Sequence, residues 1–133
     1  MTEPRWVLPA VVRAIHRAVV AEHGGSDGIR DRALLESALS RPRQRWAYDP
    51  VATIPDLAAT YADALANHHP FVDGNKRVAL VVSAVFLAIN GYRLDAPEAE
   101  AAVMFEALAA GTVSEAALAT WFAAHVVETG VDG

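Results

Sequence analysis

Apolar residues return at helical spacing through most of the chain. Across residues 8–22, Leu8, Val11, Val12, Ile15 and Val19 recur at the interval that lines one helix face. Pro9 suits a first turn and Gly24-Gly25 a stop, so an amphipathic helix is expected there. Residues 31–39 gather Leu34, Leu35, Ala38 and Leu39 on one face of a shorter second helix, closed by Pro42. Residues 41–50 lose the period: Pro42 and Pro50 bracket basic and aromatic side chains, which reads as an ordered loop or flap.

The period then resumes. Thr53 with Pro55 and Asp56 has the form of a capped helix start, followed by Leu57, Ala58, Tyr61, Ala62 and Leu65, and this third helix is expected to end near His68 and His69. Residues 75–90 are apolar nearly all round and stop at Gly91, as expected of a buried central helix. A fifth helix is predicted from Asp95 through Val103, Phe105 and Leu108 to Gly111. A sixth starts at Ser114 and carries Leu118, Trp121, Phe122 and Val126. Only Tyr92-Arg93-Leu94 or parts of the flap suit a short strand, and no internal repeat, low-complexity tract or linker interrupts the pattern. The expected fold is all-α: a compact single-domain helical bundle over residues 1–133 around a buried central helix.

Composition narrows the function. The 133 residues suit one core, and 53% hydrophobic content suits a globular chain. The absence of cysteine excludes disulfides, thiolate metal sites and cysteine nucleophiles, and fits a reducing cytoplasm. A formal net charge of -5 argues against direct nucleic-acid binding as the main task. No signal peptide is read at Met1 to Trp6 and no targeting tail at residues 131–133. The most apolar run, residues 78–89, is broken by Ser83 and falls short of the roughly 20 residues that span a membrane.

Candidate chemistry concentrates in one loop, His69-Pro70-Phe71-Val72-Asp73-Gly74-Asn75-Lys76-Arg77. The first turn of the following helix leaves backbone N–H groups unpaired and carries the positive end of the helix dipole, so it accepts an anion. Gly74 permits close approach, Asn75 adds an amide donor, and Lys76 and Arg77 add cations where the dipole alone would prefer acids. Asp73 would repel a phosphate unless a divalent cation lay between them, as Mg²⁺ does when carboxylate and phosphate oxygens share its shell. His69, across the loop, is placed to take a proton from an attacking hydroxyl. Together these form a phosphoryl or nucleotidyl transfer site. Pro70 and Phe71 are expected to anchor the loop to the core.

The segment resembles the signature of the Fic/Doc family, His-x-Phe-x-Asp/Glu-Gly/Ala-Asn-Gly/Lys-Arg, at every defined position. The Gly24-Gly25 turn, Leu34-Leu35-Glu36-Ser37-Ala38-Leu39 with Pro42, and Asn90-Gly91-Tyr92 look like its death-on-curing (Doc) branch. Family members that transfer AMP usually have glycine where Lys76 stands, and a second arginine where this chain has Leu80. The Doc resemblance implies a kinase that passes the γ-phosphate of ATP to a threonine of elongation factor Tu, and a Phd-like antitoxin that restrains it. By position, the resemblance makes His69 the general base, Asp73 the Mg²⁺ partner, Gly74 a backbone contributor, and Asn75, Lys76 and Arg77 the phosphate and transition-state ligands. Arg43, Arg45, Trp46 and Tyr48, in the flap, correspond to a target-docking segment.

Two alternatives stay open: an AMP transferase acting on a protein hydroxyl, and a catalytically silent antitoxin-binding partner. The chain shows no Ser/Thr-x-x-x-Glu-Gly/Asn inhibitory motif, so restraint is expected from outside. Zinc at His68, His69 and Asp73 matches no standard spacing, and Lys76 and Arg77 would repel it. His16, His23 and His125 read as solvated or locally bonded, Arg41, Arg43 and Arg45 as a solvated loop or protein contact, and Trp121 and Phe122 as core.

Overall fold

The computed structural model describes residues 2–130; Met1 and residues 131–133, where no targeting tail is expected, lie outside them. The elements run α1 Pro9–His23, α2 Arg32–Tyr48, α3 Ile54–His68, α4 Asn75–Ile89, β1 Tyr92–Leu94, α5 Glu98–Ala109, α6 Glu115–His125 and β2 Val126–Glu128. The architecture is all-α with one small sheet. Among the described residues no helix is long and apolar enough to cross a membrane.

The start of α3 follows from its sequence. Thr53 Oγ1 accepts from the Asp56 amide at 3.2 Å while Asp56 Oδ2 accepts from the Thr53 amide at 2.9 Å, closing a reciprocal capping box. From there Leu57, Ala58, Ala59, Thr60, Tyr61, Ala62, Ala64, Leu65 and Ala66 are buried on every side. This helix, not α4, stands at the centre and packs against α2, α4, α5 and α6. Its alanines let neighbours approach closely from all directions, yet weigh little in a hydrophobic pattern. The more apolar α4 leaves Leu80, Val81, Val85 and Ile89 only partly buried.

The expected break at Pro42 is absent: α2 runs unbroken to Tyr48, with Pro42 buried inside it. Proline in a helix interior costs about 3 kcal/mol, so tertiary contacts must offset it. Arg41 pairs with Asp63 at 3.1 Å and Glu115 at 2.7 Å. Arg45 pairs with Glu115 at 2.9 Å and also donates to Thr60 Oγ1 and the Asp56 carbonyl, at 3.0 and 3.2 Å. Burial opposes the charge on Arg41, but the two carboxylates prevail and raise its pKa. Trp46 meets Trp6 edge-on at 6.4 Å, and Trp6 stacks on Phe86 at 5.9 Å. These contacts hold the second half of α2 to the bundle.

The strand expected at Tyr92–Leu94 forms, antiparallel to Val126–Glu128 with Leu94 opposite Val126. Val126 therefore leaves the last helix, which ends at His125. The fifth helix starts at Glu98 and not at Asp95, because the Asp95 amide donates to the His125 carbonyl at 2.7 Å as the sheet ends.

Candidate active site

The loop between α3 and α4 is built on backbone bonds. His69 caps α3 with φ 49° and ψ 54°, the one non-glycine residue with positive φ among those described. A side chain in this left-handed region costs about 1–3 kcal/mol and persists where its surroundings fix it. Arg30 supplies that constraint, donating from Nε to the His69 carbonyl at 2.6 Å and from Nη2 to the His68 carbonyl at 2.9 Å. The Pro70 carbonyl accepts from the amides of Arg30 and Asp31, the Val72 amide donates to the Gly28 carbonyl, and Ile29 forms a bridge with Phe71. The segment before α2 thus splints the loop from outside.

From inside, the loop is held by Phe71, which is fully buried and stacks on the His16 ring at 3.9 Å. His16 Nε2 lies 3.0 Å from the Asp73 carbonyl; a carbonyl only accepts, so Nε2 carries the proton. His16 is 2% exposed and bridges two distant parts of the chain, which corrects the reading of it as solvated or locally bonded. Asn75 also serves the loop. Its Oδ1 accepts from the Phe71 amide at 3.0 Å and its Nδ2 donates to the Phe71 carbonyl at 2.9 Å, so the carboxamide is engaged before any ligand arrives.

Asp73 is aimed by the glycine turn after α1. Its Oδ2 accepts from the Ser26 amide at 2.8 Å, and its Oδ1 has no hydrogen bond among the described residues. A methyl group on Gly25 (φ +108°) would sit 2.9 Å from Asp73 Cβ, so only glycine fits beside it. Gly74, at φ 82° and ψ 11°, then turns the chain into α4. No side chain caps this helix and no acid lies in its first turn, so the Asn75, Lys76 and Arg77 amides meet no acceptor within it.

Two clefts meet at this turn. The first, about 400 Å³, is lined by Gly74, Asn75, Lys76, Arg77, Leu80 and, across from them, Phe105 and Glu98. The second, about 450 Å³, is lined by His69, Val72, Asp73, Gly74, Asn75 and Lys76. Both share Glu106, whose carboxylate holds Lys76 Nζ at 2.7 and 2.6 Å. The Arg77 guanidinium has no hydrogen bond or ion pair among the described residues. The uncapped start of α4 thus lies between a cleft that carries Leu80 and Phe105 beside charged groups and one that carries His69 and Asp73.

Among the described residues no group of three or more histidine, cysteine or carboxylate side chains is placed to hold a metal ion by itself. One open carboxylate oxygen beside a phosphate-accepting turn suits Mg²⁺, which takes one or two carboxylates and completes its shell with phosphate and water.

His69, Asp73, Gly74, Asn75, Lys76 and Arg77 are therefore brought together. Arg43, Arg45, Trp46 and Tyr48 line neither cleft. They lie on helix α2 instead of a flap, with Arg43 5.4 Å over the Trp6 ring and Tyr48 75% exposed. Sequence reading missed Arg30, Ser26 and Glu106, for which the pattern gives no signal. His16 did leave one: with Val12, Val19 and Val20 it completes a buried stripe at helical spacing.

The model of the Fic/DOC family matches residues 6–87. The chain is 36% identical over 95 residues to "Protein kinase doc" of Escherichia phage P1, covering 71% of this chain and 75% of that protein. It is 40% identical over 74 residues to "Toxin Doc" of Mycolicibacterium smegmatis, covering 55% of this chain and 57% of that relative.

Proposed function

This chain belongs to the Fic/DOC family, and from that premise we propose that it is a Doc-type toxin: a protein kinase that transfers the γ-phosphate of ATP to a threonine hydroxyl of elongation factor Tu in the cytoplasm and so blocks translation. The observation that carries the proposal is the first turn of α4, which no side chain caps and which lines both clefts, with Arg77, unpaired among the described residues, on one and His69 and Asp73 on the other. A relative named as a protein kinase points to phosphate as the transferred group.

The residues divide the work. ATP lies in the cleft of Arg77, Leu80 and Phe105, its phosphates on the amides of Asn75, Lys76 and Arg77. The threonine oxygen attacks the γ-phosphorus, the bond to the β–γ bridging oxygen breaks, and ADP leaves. His69 takes the hydroxyl proton, a contribution of about 10²–10⁴ in rate. Its ring has no hydrogen bond among the described residues, so a lone pair is available. Arg77 and Lys76 stabilise charge on the equatorial oxygens, the larger share of catalysis in phosphoryl transfer. Asp73 would hold Mg²⁺, which would supply neutralisation of phosphate charge. Asn75 keeps the loop shaped for these contacts through Phe71 and offers its backbone amide.

Leu80 supports γ- over α-phosphate transfer. It places an apolar side chain in the nucleotide cleft where a second arginine would grip the terminal phosphates in the AMP-transferring orientation. A Phd-like antitoxin supplies restraint. Intact mass of purified elongation factor Tu after incubation with the protein, Mg²⁺ and ATP tests the proposal. It predicts a gain of one phosphate that His69→Ala abolishes. A gain of one AMP would assign the other chemistry, and no gain together with no ATP binding would leave a silent antitoxin partner.

A further inference from the structure

The two cations in the first turn of α4 are treated differently. Arg77 has no ion pair or hydrogen bond among the described residues, whereas Lys76 is held by both carboxylate oxygens of Glu106, at 2.7 and 2.6 Å, on the wall common to the two clefts. Glu106 belongs to α5, which is tied to α6 through Glu100, bonded to Trp121 Nε1 at 2.8 Å and to His125 Nε2 at 3.2 Å. The carboxylate therefore projects from a fixed helix toward the turn that is built to accept phosphate.

We infer that Glu106 is an intramolecular competitor for phosphate at Lys76, setting how much negative charge a ligand needs before it can enter; this rests on the reading of the cleft as a nucleotide site. A phosphate arriving at α4 must take Lys76 from a carboxylate that already neutralises it. The displaced carboxylate stays on the rim and repels the newcomer. The Lys76 and Glu106 side chains are 49% and 63% exposed, so they separate by changing rotamer without unfolding any element. An exposed pair of this kind is weak enough for a polyphosphate to displace. Glu106 thus weakens the binding of any anion at Lys76 and favours those, such as Mg-ATP, whose phosphate charge best replaces its own.

Calorimetric titration of Mg-ATP into the full chain tests this with the parent, Glu106→Gln, Lys76→Met and the double variant. Glu106→Gln should lower Kd about tenfold. Lys76→Met should weaken the Glu106→Gln protein by a factor about five times larger than it weakens the parent, because the parent's lysine is already masked. If ATP binds the parent but Glu106→Gln binds no tighter, or if the two substitutions simply add, the competitor is overturned and the nucleotide site stands. If ATP binds neither the parent nor Glu106→Gln, the nucleotide reading falls and the competitor with it.

Discussion

His16 is the test of how the loop is held. Replacing it with alanine removes a ring stacked 3.9 Å from Phe71 and opens a hole at a site 2% exposed. Large-to-small changes of this size in a core cost about 2–4 kcal/mol. The same change strips the Asp73 carbonyl of the donor it has among the described residues, adding about 1 kcal/mol where water cannot fully replace it. The sum, about 3–5 kcal/mol, is a large part of the 5–15 kcal/mol typical of a natural domain. His16→Gln, which keeps an N–H donor but not the ring, should recover about 1 kcal/mol of that loss. Urea unfolding followed by circular dichroism reads both values, provided the slope m is unchanged. A loss under about 1 kcal/mol for His16→Ala would refute the claim that this ring anchors the loop.

Two further perturbations probe other parts of the account. Gly25→Ala places a methyl group 2.9 Å from Asp73 Cβ at φ +108°, so it should cost about 1–3 kcal/mol and raise the Mg²⁺ concentration needed for half-maximal activity; unchanged Mg²⁺ dependence would refute the role of that turn. The Tyr61 hydroxyl is pushed above its ordinary value near 10 by burial, which outweighs the bond from the Val7 amide and the charge of Arg43. The folded state then holds this proton more tightly than the unfolded chain, so the stability from Tyr61 is complete below pH 10 and lost as pH rises beyond it. Tyr61→Phe should flatten that alkaline decline in a stability–pH curve, at a cost of about 1 kcal/mol at neutral pH for the unpaired Val7 amide.

Local signals carried much of this fold. The Thr53–Asp56 capping box and the Gly24 stop of α1 are where turn and capping chemistry put them, because each depends on residues close in sequence. What failed depends on distant partners. Pro42 reads as a helix end until Asp63 and Glu115, from α3 and α6, are seen holding Arg41 and Arg45. The central position of α3 is hidden by alanines, whose value lies in how closely neighbours approach. β2 exists only because β1 pairs with it.

The site divides the same way. Its reactive groups share one loop and so could be read together, but the groups that aim them come from elsewhere: His16 from α1, Ser26 and Arg30 from the segment before α2, Glu106 from α5. Asn75 shows the limit within the loop itself. Its residue type suggests a phosphate donor, while its carboxamide closes on Phe71.

The central claim, transfer of the γ-phosphate by the loop from His69 to Arg77, is tested most directly with labelled ATP. Elongation factor Tu is incubated with the protein, Mg²⁺ and ATP labelled at either the γ- or the α-phosphorus, alongside His69→Ala. The account predicts label on the factor from γ-labelled ATP alone, and none with His69→Ala; label from α-labelled ATP, or γ-label that survives the loss of His69, would contradict it.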